Sequence, residues 1–334
     1  SADGRFLMWK ITTKAIQKQP ITGTSLGGFP AAYAETQAEY MASGKATEQE
    51  KLVAGCPEYA FNEYLQIGLE QGLVGLALFI GWLGLLFYKG IKNKRYACCG
   101  GLMSLAIFAF SSYPLQLPEF WVVLIFLGVM SVTPDKDEIR ENQAESNGHR
   151  WGKQIFFMGI AILGIGLFWM QKDHYKAYQQ WNKAQMFYNN KAYEAALEVY
   201  EPLYPLLKHK PEFLFEAAQS LSKTGQYEKA NEYLERAVLL SSDPMLYYVM
   251  AKNEQCLGEY RQAEKHLLHA IDILPERIYP YYLLMNLYTE PSYFQPAKLK
   301  MAIDSVLTKK PKVESSAIKE MKEKARSMLN NTSI

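Results

Sequence analysis

PEYAFNEYLQIGLEQGLVGLALFIGWLGLLFY, residues Pro57–Tyr88, is the stretch from which the rest of the chain is read. A polar, aromatic-rich segment runs directly into a hydrophobic one. Gly72 to Tyr88 carries no charge, and Lys89, Lys92, Lys94 and Arg95 close its far end. With the semi-polar turn before it, the run reaches the ~17–25 residues that a membrane-spanning helix needs. The junction places Asn62, Glu63 and Glu70 near one membrane surface. Amides and carboxylates are costly there unless solvated or used.

Upstream, residues 4–19 read as a helix stopped by Pro20. Phe6, Trp9, Thr13 and Ile16 are expected on its apolar face, with Lys10, Lys14 and Lys18 repeating every four residues on another. Such a helix can lie at a lipid headgroup surface or pack as a short solvated helix. Ile21–Phe29 is a glycine-punctuated turn that has neither the lysine of a phosphate-binding loop nor the dinucleotide-fold spacing. Residues 31–55 are polar and of mixed charge, with a helix expected around Ala31–Ala42.

Downstream, apolar runs are expected as membrane helices over Leu69–Tyr88, Ala97–Ser112 and Glu119–Val132, the last short for a full crossing. A charged linker, Pro134–Lys153, precedes a fourth run, Gln154–Met170, flanked by Trp151 and Trp169. Basic residues mark cytoplasmic loops. Lys89–Arg95 therefore puts residues 1–68 on the opposite side of the membrane, and four crossings return the chain to that side after Lys172. The domain reading is loop 1–68, membrane helices 69–133, cytoplasmic linker 134–153, membrane helix 154–171, repeats 172–313 and a charged tail 314–334.

The soluble end repeats. Gly225, Tyr227, Ala230 and Ala237 recur thirty-three residues later as Gly258, Tyr260, Ala263 and Ala270, and Pro275 closes the unit. Small residues at these positions let paired helices approach closely. Tyr193, Ala196 and Tyr200 form a degenerate earlier copy, and Tyr293 with Ala297 a later one. A period of about 34 residues with two helices per unit resembles the tetratricopeptide repeat. Degenerate outer copies fit terminal caps. Lys309–Ile334 reads as a charged, solvating helix.

Composition narrows the function classes. A net charge of +2 on 334 residues, with no basic stripe carrying interleaved aromatics, points away from nucleic acid. Cys56, Cys98, Cys99 and Cys256 show no metal-ligand spacing, and a Cys56–Cys256 bridge would require an oxidising space. Without an initiating methionine or a leader, and with a helix under way at Arg5, the chain is expected to be the C-terminal part of a longer protein.

GRFLMW (Gly4–Trp9), PITGTSLGGF (Pro20–Phe29) and AFNEYLQIGLEQGLVGL (Ala60–Leu76) occur in the order found in the O-antigen ligase and polymerase family, which residues 4–130 resemble. In that family a periplasmic loop carries an arginine in a GR…W pattern. A histidine-asparagine pair followed by leucine comes next, then a glycine-rich helix start. The resemblance implies that Arg5 binds the diphosphate of an undecaprenyl-linked glycan donor, with Lys10 and Lys14 adding charge. A salt bridge to Asp3 or a helix-end role is the alternative for Arg5. Asn62 and Leu65 match the asparagine and leucine, and Tyr64, like Tyr59, could stack on sugar or anchor at the interface. Where the family has its histidine this chain has Phe61, and no histidine precedes His149. A phenyl ring takes no proton, so three readings stay open. A carboxylate (Glu58, Glu63 or Glu70) is the base, with Glu63 taken as the candidate; the base lies upstream of Ser1; or transfer has been lost.

The expected fold is therefore all-α: polytopic membrane helices with an extramembrane loop, then a tetratricopeptide α-solenoid. The expected function is a multi-pass, inner-membrane glycosyltransferase of O-antigen ligase or polymerase type. Its partners would be the lipid-linked glycan, a periplasmic lipid, polymer or protein acceptor, and a protein bound by the repeats, with no metal or cofactor. The alternative is a membrane-anchored tetratricopeptide adaptor without activity.

Overall fold

The computed structural model describes residues 2–133, 158–159, 162–164, 166, 168–311 and 313–331. The expected linker 134–153 and most of the expected fourth apolar helix lie outside the described residues. Every regular element among the described residues is helical. They group into two compact units, one formed by 1–18, 24–58 and 181–334, the other by 19–23 and 59–180.

The first unit joins three upstream helices, α1 (Ala2–Lys18), α2 (Phe29–Ala42) and α3 (Glu48–Val53), to the repeat helices. In α1 the buried stripe is Leu7, Ile11 and Ala15, with Thr12 beside it. The expected face of Phe6, Trp9, Thr13 and Ile16 is not the packed one: Phe6 is 64% exposed, edge-on to Trp9. The rotation follows from Lys10, which donates to Glu50 and to the Tyr40 hydroxyl at 2.6 Å each and so turns the basic face toward α2 and α3. Pro30 opens α2 in its first turn, and Thr47 with Glu50 forms a capping box at α3. One face of α2 meets α1, and α2 also packs on a repeat helix, α13, introduced below. Fully buried Gln37 donates from its amide to the carbonyls of Ile273 (2.8 Å) and Gly55 (3.0 Å).

The repeats begin with α8 (Lys172–Asn189, which enters this unit at Trp181) and α9 (Tyr193–Leu207). Three pairs follow: α10 (Pro211–Lys223) with α11 (Tyr227–Val238), α12 (Met245–Leu257) with α13 (Tyr260–Ile273), and α14 (Ile278–Leu287) with α15 (Pro296–Thr308). Gly225 and Gly258 turn the chain between the helices of two pairs at φ +81° and +78°, the left-handed conformation that glycine adopts without penalty. Ala196, Ala230, Ala237, Ala263 and Ala270 are all fully buried where helices cross. The later copy shifts register: Tyr293 sits in a 3₁₀ turn, α15 starts only at Pro296, and Ala297 is exposed while Ala302 is buried. The last helix, α16 (Ser316–Asn331), does more than solvate the end. It buries Ala325 completely and packs Met328 and Leu329 on the final pair.

The second unit contains α4 (Glu63–Glu70), α5 (Gly72–Lys92), α6 (Tyr96–Ser111) and α7 (Pro118–Val132). The expected continuous helix from Leu69 is broken at Gln71–Gly72, because the Gln19–Gly23 turn presses against it. Leu73 donates its N–H to the Pro20 carbonyl at 2.7 Å. Gly72 has φ +70°, and a Cβ there would lie 2.1 Å from the Ile21 carbonyl oxygen. Gly72→Ala is therefore expected to lose more than the ~1–2 kcal/mol that left-handed backbone alone costs an L-residue. Gly81→Ala, whose Cβ meets nothing within 4 Å, should be tolerated; thermal melting of both variants in detergent checks this.

Leu86, Leu102 and Leu124 form the centre of α5–α7, and the outward positions are apolar too, Leu78, Leu85, Ile107, Val122 and Phe126 each being more than half exposed. At 21 residues α5 is long and apolar enough to cross a membrane, and almost none of its apolar stretch is buried. The helices α6 and α7 are shorter, at 16 and 15 residues.

Candidate functional site

The polar cluster at the start of α4 is built by its cap. Asn62 is extended (φ −162°) and its side-chain oxygen accepts the Leu65 N–H at 3.1 Å. Phe61, just before it, takes the left-handed conformation (φ +50°), which is strained for a bulky residue. Its ring sits edge-on to Tyr113 at 4.9 Å, and Tyr59 stacks on the same ring at 5.3 Å. Glu63, Gln66 and Glu70 then share one face of α4 through their spacing of three and four. All three are buried, Glu63 at 1% exposed.

Gln66 and Glu70 are linked in series, while Glu63 and Tyr64 bond to other segments. The Ala60 N–H donates to the Gln66 side-chain oxygen at 2.8 Å, and the Gln66 amide donates to Glu70, also at 2.8 Å. Glu63 accepts the Leu115 N–H at 2.6 Å. Tyr64 donates its hydroxyl to the Ala106 carbonyl at 2.9 Å. Burial lifts the Glu63 carboxyl to about 6; donors on Leu115 and Gln116 pull the other way, and the charge of Glu70 adds to the lift. A carboxyl in that range can hold or release a proton near neutral pH.

The second group of candidates lies on α1, in the other unit. Arg5 is on an exposed face of the helix. Lys10 is tied into the fold by Glu50 and Tyr40, lying 4.6 Å over the Tyr40 ring, and Lys14 lies 5.4 Å from the same ring. Against its burial, the Lys10 ammonium, the Thr47 N–H and the Tyr40 hydroxyl hold Glu50 down to about 2. Lys18 pairs with Glu39 at 2.7 Å, and Asp3 accepts from Gln49 at 3.2 Å. Fold and contacts thus bring Arg5, Lys10 and Lys14 together in one unit, and Asn62, Glu63 and Tyr64 in the other.

Among the described residues no group of histidine, cysteine and carboxylate side chains is placed to hold a metal, and no disulfide joins Cys56 to Cys256. Reading Asn62 and Glu63 as a pair missed Gln66 and the turn at Leu115–Gln116. The signal for Gln66 was present in the 63, 66, 70 spacing of polar residues within an apolar helix. Nothing local connects Glu63 to a backbone N–H fifty-two residues away.

Residues 1–80 match the profile of the O-antigen ligase family, and residues 189–270 match that of anaphase-promoting complex, cyclosome, subunit 3. The first match contains all three motifs quoted above and stops inside α5, short of residue 130. No curated protein matches the chain. Similar solved structures include a crystal structure of MamA protein, 17% identical, covering 46% of this chain and 88% of that one, with a TM-score of 0.38. MamA 41-end from Desulfovibrio magneticus RS-1 is 19% identical, covering 48% and 98%, with a TM-score of 0.37. The MamA RS-1 ArsTM double mutant is 20% identical, covering 47% and 97%, also at 0.37. The chain thus carries an O-antigen-ligase-like segment followed by paired-helix repeats of tetratricopeptide type.

Proposed function

We propose that this chain is part of an integral-membrane glycosyltransferase of the O-antigen ligase or polymerase type. It moves a glycan from an undecaprenyl diphosphate carrier to a periplasmic acceptor. The family match over residues 1–80 carries this reading, because it contains both Arg5 and the Asn62–Glu63 pair. Glycosyl transfer from such a carrier expels a diphosphate and removes a proton from the attacking hydroxyl. The Arg5 guanidinium meets the diphosphate with forked donors, and Lys14, further along the same helix, adds charge only at longer range. Lys10 contributes less, since Glu50 already holds it. Glu63 takes the acceptor proton, its raised affinity for protons replacing the imidazole lost at Phe61.

The apolar exterior of α5–α7 supports the bilayer as its surroundings. The helices α6 and α7, about 24 and 22 Å long at 1.5 Å per residue, cross beside α5. Lys89, Lys92, Lys94 and Arg95 face the cytoplasm, which leaves the loop in the periplasm, and a fourth crossing by the apolar run Gln154–Met170 returns the repeats to that side.

The second reading, an anchored adaptor, is favoured by Phe61 in the histidine position and by the repeat match at 189–270. Reconstitution separates the two. The intact protein in proteoliposomes loaded with undecaprenyl-diphosphate-linked glycan and acceptor is expected to release undecaprenyl diphosphate above protein-free vesicles. Correctly folded protein that releases none, across lipid, polymer and protein acceptors, leaves the adaptor standing.

A further inference from the structure

Within the second unit, the Gln19–Gly23 turn is fastened to the start of α5 by its backbone. Its sequence, QPITG, carries no charge. The Pro20 carbonyl accepts the Leu73 N–H at 2.7 Å, and the Gln19 carbonyl accepts the Gly23 N–H at 3.2 Å. The two chains approach through a glycine on each side, Gly72 against the Ile21 carbonyl and Gly23 against the Glu70 carbonyl. Either Cβ, if present, would stand 2.5 Å or less from the facing oxygen. With the backbone making the contact, the Ile21 side chain is left 67% exposed.

One exposed isoleucine is ordinary on a protein surface. What distinguishes Ile21 is its level along α5. Leu73 and Val74, in the first turn of that helix, are more than half exposed, and Leu78, Ile80 and Leu85 carry the apolar exterior onward. The nearest charge before them, Glu70, is buried. The 21 residues of α5 span about 32 Å at 1.5 Å each, close to the ~30 Å of a hydrocarbon core. Its first turn must then stand at one boundary of the bilayer, and Ile21 stands beside it. Backbone outside a helix is costly near lipid. This turn lowers the cost, because Pro20 has no N–H and the Gln19 and Pro20 carbonyls are both bonded. We propose that Gln19–Gly23 is a membrane-dipping turn, which seats Ile21 among the acyl chains just below the headgroups. Phospholipid, not protein, covers the surface of Ile21, Leu73 and Val74. The inference rests on the reading of α5 as a membrane crossing, and it adds a second point at which the loop is held to the bilayer.

Site-specific photo-cross-linking tests this on the full chain, in nanodiscs of phosphatidylethanolamine and phosphatidylglycerol without glycan carrier. A p-benzoylphenylalanine side chain inserts into C–H bonds within its reach on illumination, and mass spectrometry reads the phospholipid adduct. Three variants are compared, with the photoreactive residue at Ile21, at Leu78 on the exterior of α5, or at Met301, exposed on α15. The adduct at Ile21 is expected within about 3-fold of that at Leu78 and about 10-fold or more above that at Met301. Since the Ile21 contact is made by backbone, the variant should melt close to wild type. If it melts lower, a smaller diazirine side chain at the same position gives the reading. An adduct at Leu78 with only the Met301 level at Ile21 overturns the inference and leaves α5 in the membrane. So does a cross-link from Ile21 to protein in place of lipid. No adduct at Leu78 removes the crossing itself, and the dipping turn with it.

Discussion

Arg5→Ala is expected to lower glycan transfer by about 100-fold or more with little change in folding. In the proposed transfer the diphosphate leaving group gains charge as the glycosidic bond breaks, and a positioned guanidinium would act on that charge where it develops. Removing one such fixed donor typically costs ~10²–10³ in rate. Arg5 lies on an exposed face of α1, while Leu7, Ile11 and Ala15 anchor the helix and alanine is itself a strong helix former. The melting temperature should stay close to wild type, as for most exposed substitutions. Arg5→Lys should recover only part of the rate, since an ammonium keeps the charge and loses the two-pronged geometry. The measurement is the initial rate of undecaprenyl diphosphate release at fixed protein level. An unchanged rate in Arg5→Ala would remove the transferase reading.

The parts of this fold legible in the sequence are those set by neighbours a few residues apart. The recurrence of glycine and alanine at 225, 230, 258 and 263 predicts paired helices because a left-handed turn and a close crossing each admit few side chains. The parts that were not legible depend on distant segments. The apolar face expected in α1, Phe6, Trp9, Thr13 and Ile16, is not the packed one, because Glu50 and Tyr40, far along the chain, hold Lys10 and set the rotation of the helix. The break at Gly72 is imposed by Ile21. The register shift at Ala297 comes from the 3₁₀ turn of Pro291–Tyr293 inserted ahead of α15. Docking of α2 on α13, with Gln37 bonded to a carbonyl 236 positions away, leaves no periodic trace. The candidate site divides the same way. Arg5 and Asn62 were visible by resemblance and Glu63 as a carboxylate at the membrane junction, whereas the burial that raises the Glu63 proton affinity comes from packing against the turn before α7.

Glu63→Gln separates a working carboxylate from a structural one, because activity and stability should move in opposite directions. As general base Glu63 must be ionised, so transfer should rise with pH through about 6 and level off above it. The glutamine variant should lose ~10²–10⁴ of the rate, the range a positioned base contributes, and its pH rise should vanish. Stability follows the opposite sign. A carboxyl whose folded pKa lies above its unfolded value favours the fold below the unfolded value and loses that contribution as pH rises through about 6. At pH 7.5 the buried charge therefore costs the wild type about 2 kcal/mol, on the scale of 1.36 kcal/mol per unit. Glutamine keeps an oxygen to accept the Leu115 N–H and carries no charge, so the variant should melt higher than wild type at pH 7.5 and much the same at pH 4. A residue kept for packing alone would give the gain in melting temperature without the loss of transfer. Full activity in Glu63→Gln, with the pH rise retained, assigns the proton to another group and leaves Glu63 as the tie between α4 and the turn before α7.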